Sequence, residues 1–122
     1  MLRMSYKDLR VWGKGRALVK VVYHLTKAFP KEELFGLTSQ IRRAAVSIPS
    51  NIAEGSQRSS DREFANYVLI ARGSIAELET QLLLSVDIGY LSNEQITSVL
   101  QQLDEISRML HRLHSKLIAQ SS

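Results

Sequence analysis

Hydrophobic residues recur at alternating spacings of three and four along almost the whole chain, which is the period of amphipathic helices. The last seam of this kind comprises Ile96, Val99, Leu103, Ile106, Leu110, Leu113 and Leu117. The seam before it comprises Phe64, Val68, Ala71, Ile75, Leu78 and Leu82. Two earlier seams comprise Leu34, Thr38, Ile41, Ala45, Ile48 and Ile52, and, more loosely, Val11, Leu18, Val22, Leu25 and Phe29. The pattern predicts four helices, at about 5–28, 33–55, 61–88 and 92–118.

Residues that end or begin helices separate these segments. Pro30 follows the first seam, and the residue before a proline is disfavoured in the helical region. Ser60 with Glu63, and Ser92 with Gln95, have the spacing of capping boxes. Because short loops join successive helices, we expect an all-α protein with an antiparallel up-down-up-down four-helix bundle. The bundle would form one domain over residues 1–122.

The third and fourth helices differ on the side away from their seams. The fourth has only polar residues there, whereas the third has a second apolar stripe, made of Leu69, Ile70, Ala76, Leu83 and Leu84. One bundle cannot bury two stripes of one helix, so the second requires cover from another subunit. The sequence therefore predicts a homo-oligomer.

Composition removes several classes of chemistry. The 122 residues include no cysteine, which excludes disulfides, thiolate metal sites and cysteine nucleophiles. His111 and His114 are one turn apart, but they border a polar face with Arg108 and Arg112, so we expect no metal there. The sequence lacks the Ser elbow, phosphate-loop and dinucleotide motifs of common enzymes. Without these motifs we expect a non-enzyme that uses no cofactor. The sequence also has no apolar stretch of membrane-spanning length and no signal-peptide pattern, so we expect a cytoplasmic protein without membrane association.

Positive charge is concentrated in the first half of the chain. Residues 1–58 contain 11 Lys and Arg against 4 Asp and Glu, whereas residues 59–122 contain 5 against 8. On a helical projection the first-helix cations form two arcs beside the apolar face, one of Arg3, Lys7, Arg10 and Lys14 and one of Arg16, Lys20 and Lys27. The arcs have two interpretations: they contact nucleic-acid phosphates, or they are the solvated flanks of an ordinary amphipathic helix.

Polar residues of the second and third helices also have two interpretations. Arg43, Ser47 and Glu54 share one face of the second helix, with Asn51 beside them and Ser74 and Glu77 on the third helix. They form a pocket for a ligand or RNA, or a hydrogen-bonded network that fixes helix register or subunit pairing. We favour the network, because a buried charge persists only when it is paired.

Four segments carry a family resemblance. They are YKDLRVW at 6–12, FGLTSQIRRAAVSIPSNIAEG at 35–55, GSIAELETQL at 73–82 and GYL at 89–91. They resemble the four-helix-bundle proteins encoded by intervening sequences in bacterial 23S rRNA genes, also labelled S23 ribosomal proteins. The resemblance implies a ring-like homopentamer, similar to the accessory protein of diversity-generating retroelements, which partners a reverse transcriptase and binds nucleic acid. It implies no catalytic residues.

Two functions from different classes follow. The first is an oligomer that binds structured RNA or a nucleic-acid-processing protein through the basic arcs. The second is a protein-interaction scaffold in which the positive charge only increases solubility. Direct reading of a base sequence is unsupported, because aromatic residues make up only 7% of the chain and no recognition module is present.

Overall fold

The computed structural model describes residues 5–121, and these residues form four long helices and two short 3-10 turns without strands. The helices are α1 (Arg10–Thr26), α2 (Leu37–Ser56), α3 (Asp61–Ile88) and α4 (Asn93–Gln120). The 3-10 turns are Tyr6–Asp8 and Lys31–Glu33. No helix in this part of the chain is long and apolar enough to cross a bilayer.

The first two helices begin later than their predicted starts at about 5 and 33. Ser5 accepts a hydrogen bond from the backbone of Lys7, and Leu9 is extended, so a separate 3-10 turn precedes α1. Gly36 likewise has a non-helical backbone, and the Glu33 carboxylate accepts a hydrogen bond from the amide of Leu37, the first residue of α2. In both places, local hydrogen bonds to side chains therefore favour a non-helical backbone, and the helix starts later than the hydrophobic pattern predicts.

The later helix ends follow their capping residues. Ser92 and Gln95 form the complete capping box of α4, whereas at α3 the Ser60 side chain caps the amide of Glu63 and the Glu63 carboxylate accepts from Ser59. Gly89 ends α3 with a φ of 96°, a left-handed conformation that glycine adopts without steric cost. The observed bounds of α3 coincide with the predicted range 61–88.

One hydrophobic core unites the four helices. Each helix contributes fully buried seam residues, among them Leu18 and Val22, Ile41 and Ile48, Leu78 and Leu82, and Leu103 and Leu110. Within residues 5–121 the contacting helix pairs are α1–α2, α2–α3, α3–α4 and α1–α4. Leu34 departs from its predicted place in the α2 seam and is 49% exposed, because it precedes Gly36 and lies outside the helix.

Hydrogen bonds place the helices in register. Ser47 on α2 pairs with Ser74 on α3, and seven residues further along α2 Glu54 pairs with Tyr67, seven residues earlier on α3. The α3–α4 loop contacts the α1–α2 connection, where the Tyr90 hydroxyl donates to Glu33 over 2.8 Å. The result is a helical bundle in which the α1–α2 and α3–α4 connections meet at one end.

Two glycines lie where α2 contacts a neighbouring helix, and they differ in the space around them. A Cβ on Gly55 of α2 would lie 2.5 Å from the Tyr67 Cβ and 2.9 Å from a Phe64 ring carbon on α3. A Cβ on Gly15 of α1 would lie 3.4–3.5 Å from Ile48 and Pro49 of α2. Gly55 therefore occupies a position that no larger residue fits without movement of α3.

Candidate functional site

The outer face of α3 is apolar and open. Leu69, Ile70, Leu83 and Leu84 are each between 45% and 51% exposed, although their neighbours in the α3 seam are buried. Ala76 and Glu77 are also exposed on this side. We call this set, together with Gly73, the α3 outer face; it contains the second stripe predicted from the sequence.

Three of the predicted polar residues lie in a network between α2 and α3. The Asn51 amide donates to both the backbone carbonyl and the hydroxyl of Ser47, each over 2.8 Å. The hydroxyl of Ser74, which is 8% exposed, donates to Ser47 over 2.8 Å. These groups satisfy one another's hydrogen-bonding capacity at the contact of the two helices.

Glu54 belongs to a separate cluster at the α2–α3 end of the bundle. Its carboxylate accepts a hydrogen bond from the Tyr67 hydroxyl over 3.0 Å and from Arg58 over 2.6 Å. The Arg58 guanidinium lies 4.8 Å from the Tyr67 ring centre and also donates to the Tyr67 hydroxyl. The hydrogen bond to Glu54, followed by the field of Tyr67, raises the pKa of Arg58. Sequence reasoning omitted Arg58 and Tyr67, although the spacing of Glu54 and Arg58 already predicts a helical ion pair.

The remaining two polar residues point outward. Arg43 on α2 and Glu77 on α3 are exposed, and within residues 5–121 neither has an ion-pair partner. The structure therefore does not bring all six residues into one pocket. Ser47, Asn51 and Ser74 form the internal network, Glu54 forms the cluster with Tyr67, and Arg43 and Glu77 remain on the surface.

The predicted basic arcs are only partly realised. Arg3 lies outside the described residues. Lys7 lies in the 3-10 turn and not in α1, so it is not on a helical arc with Arg10 and Lys14. Lys14 is engaged in an ion pair with Glu105 of α4 at 2.8 Å. The exposed cations of the arcs within the described part of the chain are Lys7, Arg10, Arg16, Lys20 and Lys27.

An aromatic cleft between α1 and α2 was not predicted. The Tyr6 and Trp12 rings meet edge to face at 5.2 Å, and the Arg16 guanidinium lies 5.6 Å from the Trp12 ring centre. These residues line a cleft of about 370 Å³ together with Val19, Val46, Pro49, Ser50 and Ala53. Arg16 is therefore part of a mixed aromatic and cationic wall. The YKDLRVW segment contains the two aromatic residues, but their contact depends on the 3-10 turn.

The described residues also bear on metal chemistry. Across residues 5–121 no three side chains of the His, Asp and Glu types lie close enough together to hold a metal ion. His111 is exposed and His114 half-buried on α4.

Comparisons with known proteins identify the family. The model of the 23S rRNA-intervening sequence protein family matches residues 7–112. A solved structure from Bacteroides thetaiotaomicron VPI-5482, a protein with unknown function from the S23 ribosomal protein family, is similar to this chain with a TM-score of 0.76. The two are 27% identical, over 85% of this chain and 97% of that one. A comparison with curated proteins gives no match. The chain belongs to the 23S rRNA-intervening sequence protein family.

Proposed function

We propose that this protein is a non-enzymatic scaffold subunit that assembles with copies of itself through the α3 outer face. The observation that carries the proposal is the exposure of Leu69, Ile70, Leu83 and Leu84, each about half exposed to solvent on one side of one helix. Fully burying a side chain of this size contributes about 1.5–3 kcal/mol. Large contiguous apolar patches are rare on monomers and mark contact sites.

The spacing on the α3 outer face suits another helix. Leu69, Ala76 and Leu83 lie seven residues apart, and Ile70 and Leu84 lie on a parallel line. Heptad spacing is typical of helix–helix interfaces. Between the lines lies Gly73, whose Cβ position has no atom within 4 Å. The small residues at the centre therefore leave room for an approaching helix.

Charge complementarity favours a second copy of the chain as the occupant. Arg43 lies one turn before Ser47 on α2, and Glu77 lies about one turn after Ser74 on α3. Because the hydroxyls of Ser47 and Ser74 are hydrogen-bonded, Arg43 and Glu77 lie at the same level along the bundle. Neither forms an ion pair with a described residue. Each subunit thus presents both members of an ion pair beside the apolar face, and Arg43 of one subunit can pair with Glu77 of another.

We further propose an antiparallel up-down-up-down bundle that closes into a ring of five subunits. The opposite progression of the Ser47–Ser74 and Glu54–Tyr67 pairs along α2 and α3 supports the antiparallel arrangement. A ring needs heterologous contacts, in which the α3 outer face meets a different surface of the next subunit. The number five rests on the family resemblance.

Light scattering after size exclusion tests self-assembly. We expect wild-type protein to have a mass near five times 13.8 kDa. Leu83→Glu should give monomers with unchanged helical circular dichroism, because it places a charge in the contact without touching the core. Thr97→Glu, on the exposed polar face of α4, is the matched control and should assemble normally. A wild-type monomer at micromolar concentration contradicts the proposal.

Binding of structured RNA, or of a nucleic-acid-processing partner, is the second candidate function. Exposed cations on and before α1 favour it, because within residues 5–121 Lys7, Arg10 and Lys20 have no carboxylate within 4.0 Å. Assembly repeats these cations around the oligomer. The double variant Lys7→Glu, Arg10→Glu should weaken binding to a folded RNA. The slope of log K against log salt concentration should become less negative by about 0.7–0.9 for each phosphate that is no longer neutralised. Wild-type protein without affinity at about 50 mM salt leaves only the scaffold function.

A further inference from the structure

A cleft between α3 and α4 gathers positive charge in the half of the chain that is acidic in sum. Arg72 of α3 and Arg108, His111 and Arg112 of α4 line it together with Ser107, and its volume is about 390 Å³. We propose that this cleft is a binding site for a phosphate group. The site is separate from the basic arcs of α1, and its occupation does not require the proposed assembly.

The geometry brings donors from two helices together. Arg108 and Arg112 are four residues apart, and so are Ser107 and His111, so each pair lies on one side of α4. Arg72 is half-buried and forms the wall contributed by α3. Guanidinium groups present fixed pairs of N–H donors that match the oxygens of a phosphate. A hydroxyl and an imidazole beside them add further donors.

The charges of the cleft are not balanced within the described chain. Arg108 pairs with Asp104 at 2.9 Å, but both side chains are about two-thirds exposed, at 68% and 67%. Arg72 and Arg112 have no carboxylate within 4.0 Å among residues 5–121. Like charges four residues apart destabilise a helix, and a bound anion relieves that repulsion. The cleft therefore has excess positive charge that an anionic ligand would neutralise.

The lining also selects the class of ligand. Neither the hydroxyl of Ser107 nor the imidazole of His111 has a hydrogen-bond partner in the described part of the chain, so both are available to an acceptor. The cleft contains no phenylalanine, tyrosine or tryptophan on which a base could stack. An oxyanion with several acceptor oxygens fits these donors better than an aromatic or apolar molecule. The phosphate belongs either to a small phosphate ester or to an RNA strand.

Titration with inorganic phosphate at constant ionic strength tests the site. In the wild-type protein, the Nε–Hε NMR signals of Arg72 and Arg112 should shift saturably, whereas chloride should leave them unchanged. Arg72→Gln and Arg112→Gln should each raise the Kd for phosphate about tenfold, because each removes a charge-assisted hydrogen bond. Arg62→Gln is the matched control, since Arg62 is exposed on α3 about 15 Å along the helix from Arg72. Circular dichroism verifies that each variant is folded.

Two RNAs of one sequence distinguish the sources of the phosphate. Displacement of inorganic phosphate only by the RNA with a 5′-phosphate assigns the cleft to terminal or small monoesters. Equal displacement by the 5′-hydroxyl RNA assigns it to the strand backbone, and displacement by neither assigns it to small phosphate compounds. The proposal is overturned by shifts that do not saturate, by an equal rise of the Kd in Arg62→Gln, or by an unchanged Kd in Arg72→Gln. None of these outcomes depends on Leu83, so the assembly proposal stands or falls separately.

Discussion

Helices α3 and α4 are both 28 residues long and bury similar seams, yet their outer faces differ in chemistry. On α3, Leu69 and Leu83 are nearly half exposed. On α4, every residue behind the seam is polar and exposed, namely Thr97, Gln101, Asp104, Arg108, Arg112 and Ser115. The inner faces hold each helix in the bundle, so the two helices differ mainly in the surface that they present to solvent.

The two helices also differ in how they are attached to α2 and α1. The contact of α3 with α2 is close, because Gly55 offers no side chain to Tyr67 and Phe64. The described ion pair between α4 and α1 joins Glu105 to Lys14 near the surface. Packing without gaps resists substitution more strongly than an exposed ion pair does. We therefore expect changes on the inner faces to have larger effects than changes in the ion pair.

The largest expected effect tests whether the two inner faces are equivalent. Leu82 of α3 and Leu110 of α4 are both fully buried. Leu82→Ala and Leu110→Ala should each lower the free energy of unfolding by about 2–5 kcal/mol, because each leaves a cavity in the core. Urea denaturation at one protein concentration measures both. A large loss in only one variant would show that the seams do not contribute equally.

Neighbouring substitutions on the outer faces are the controls. Leu83→Ala changes a residue that is 49% exposed, and Arg112→Ala changes an exposed residue of α4. Neither should weaken the subunit as the buried substitutions do, although Leu83→Ala should loosen the proposed assembly. If Leu83→Ala unfolds the subunit as readily as Leu82→Ala, the distinction between inner and outer faces of α3 is wrong.

The next effect concerns the close contact of α3 with α2. Gly55→Ala should destabilise the protein by about 1–3 kcal/mol, because the new Cβ overlaps Tyr67 and forces α3 outward. Gly13→Ala on α1 is the control, since a Cβ there meets no atom within 4 Å. Alanine should stabilise α1 at that position by about 0.5–1 kcal/mol. Thermal unfolding of both variants measures the opposite signs, and stabilisation by Gly55→Ala would disprove the packing argument.

The sequence predicted the seams well because burial repeats with the helical period. Phe64, Val68 and Leu82 are all buried, as their spacing required. The same periodicity extended the pattern to Leu34, which is exposed, because spacing alone does not register the non-helical backbone at Gly36. Helix starts depend on single hydrogen bonds, such as the one to Glu33, which hydrophobic spacing does not encode.

The surfaces were less predictable because they combine distant parts of the chain. The second stripe of α3 lies on one helix, so spacing was enough to find Leu69 and Leu83. The cleft at Arg72 lies between two helices whose register depends on packing. The net charge of residues 59–122 is negative, so it conceals the arginines that line this cleft. The ion pair of Lys14 was missed for a similar reason, since its partner Glu105 is 91 residues away.

The smallest expected effect lies in that ion pair. The hydrogen bond from Lys14, followed by the attraction of its charge, lowers the pKa of the Glu105 carboxyl. A carboxyl whose pKa is lower in the folded than in the unfolded state stabilises the fold at pH values above its unfolded-state pKa. This contribution is lost as the pH falls through the lowered folded pKa. Because both side chains are well exposed, at 36% and 48%, we expect only a slight change in stability.

Lys14→Met tests the origin of the Glu105 shift. In this variant the pKa of Glu105 should return toward its ordinary value, because the smaller influences of Arg10 and Arg108 are all that remain to lower it. NMR titration of the Glu105 carboxyl carbon measures the change. Lys20→Met removes an exposed lysine from the same helix and should leave the titration unchanged. An equal response to both variants would assign the shift to the overall positive field of α1, and α4 would then be held to α1 by its seam alone.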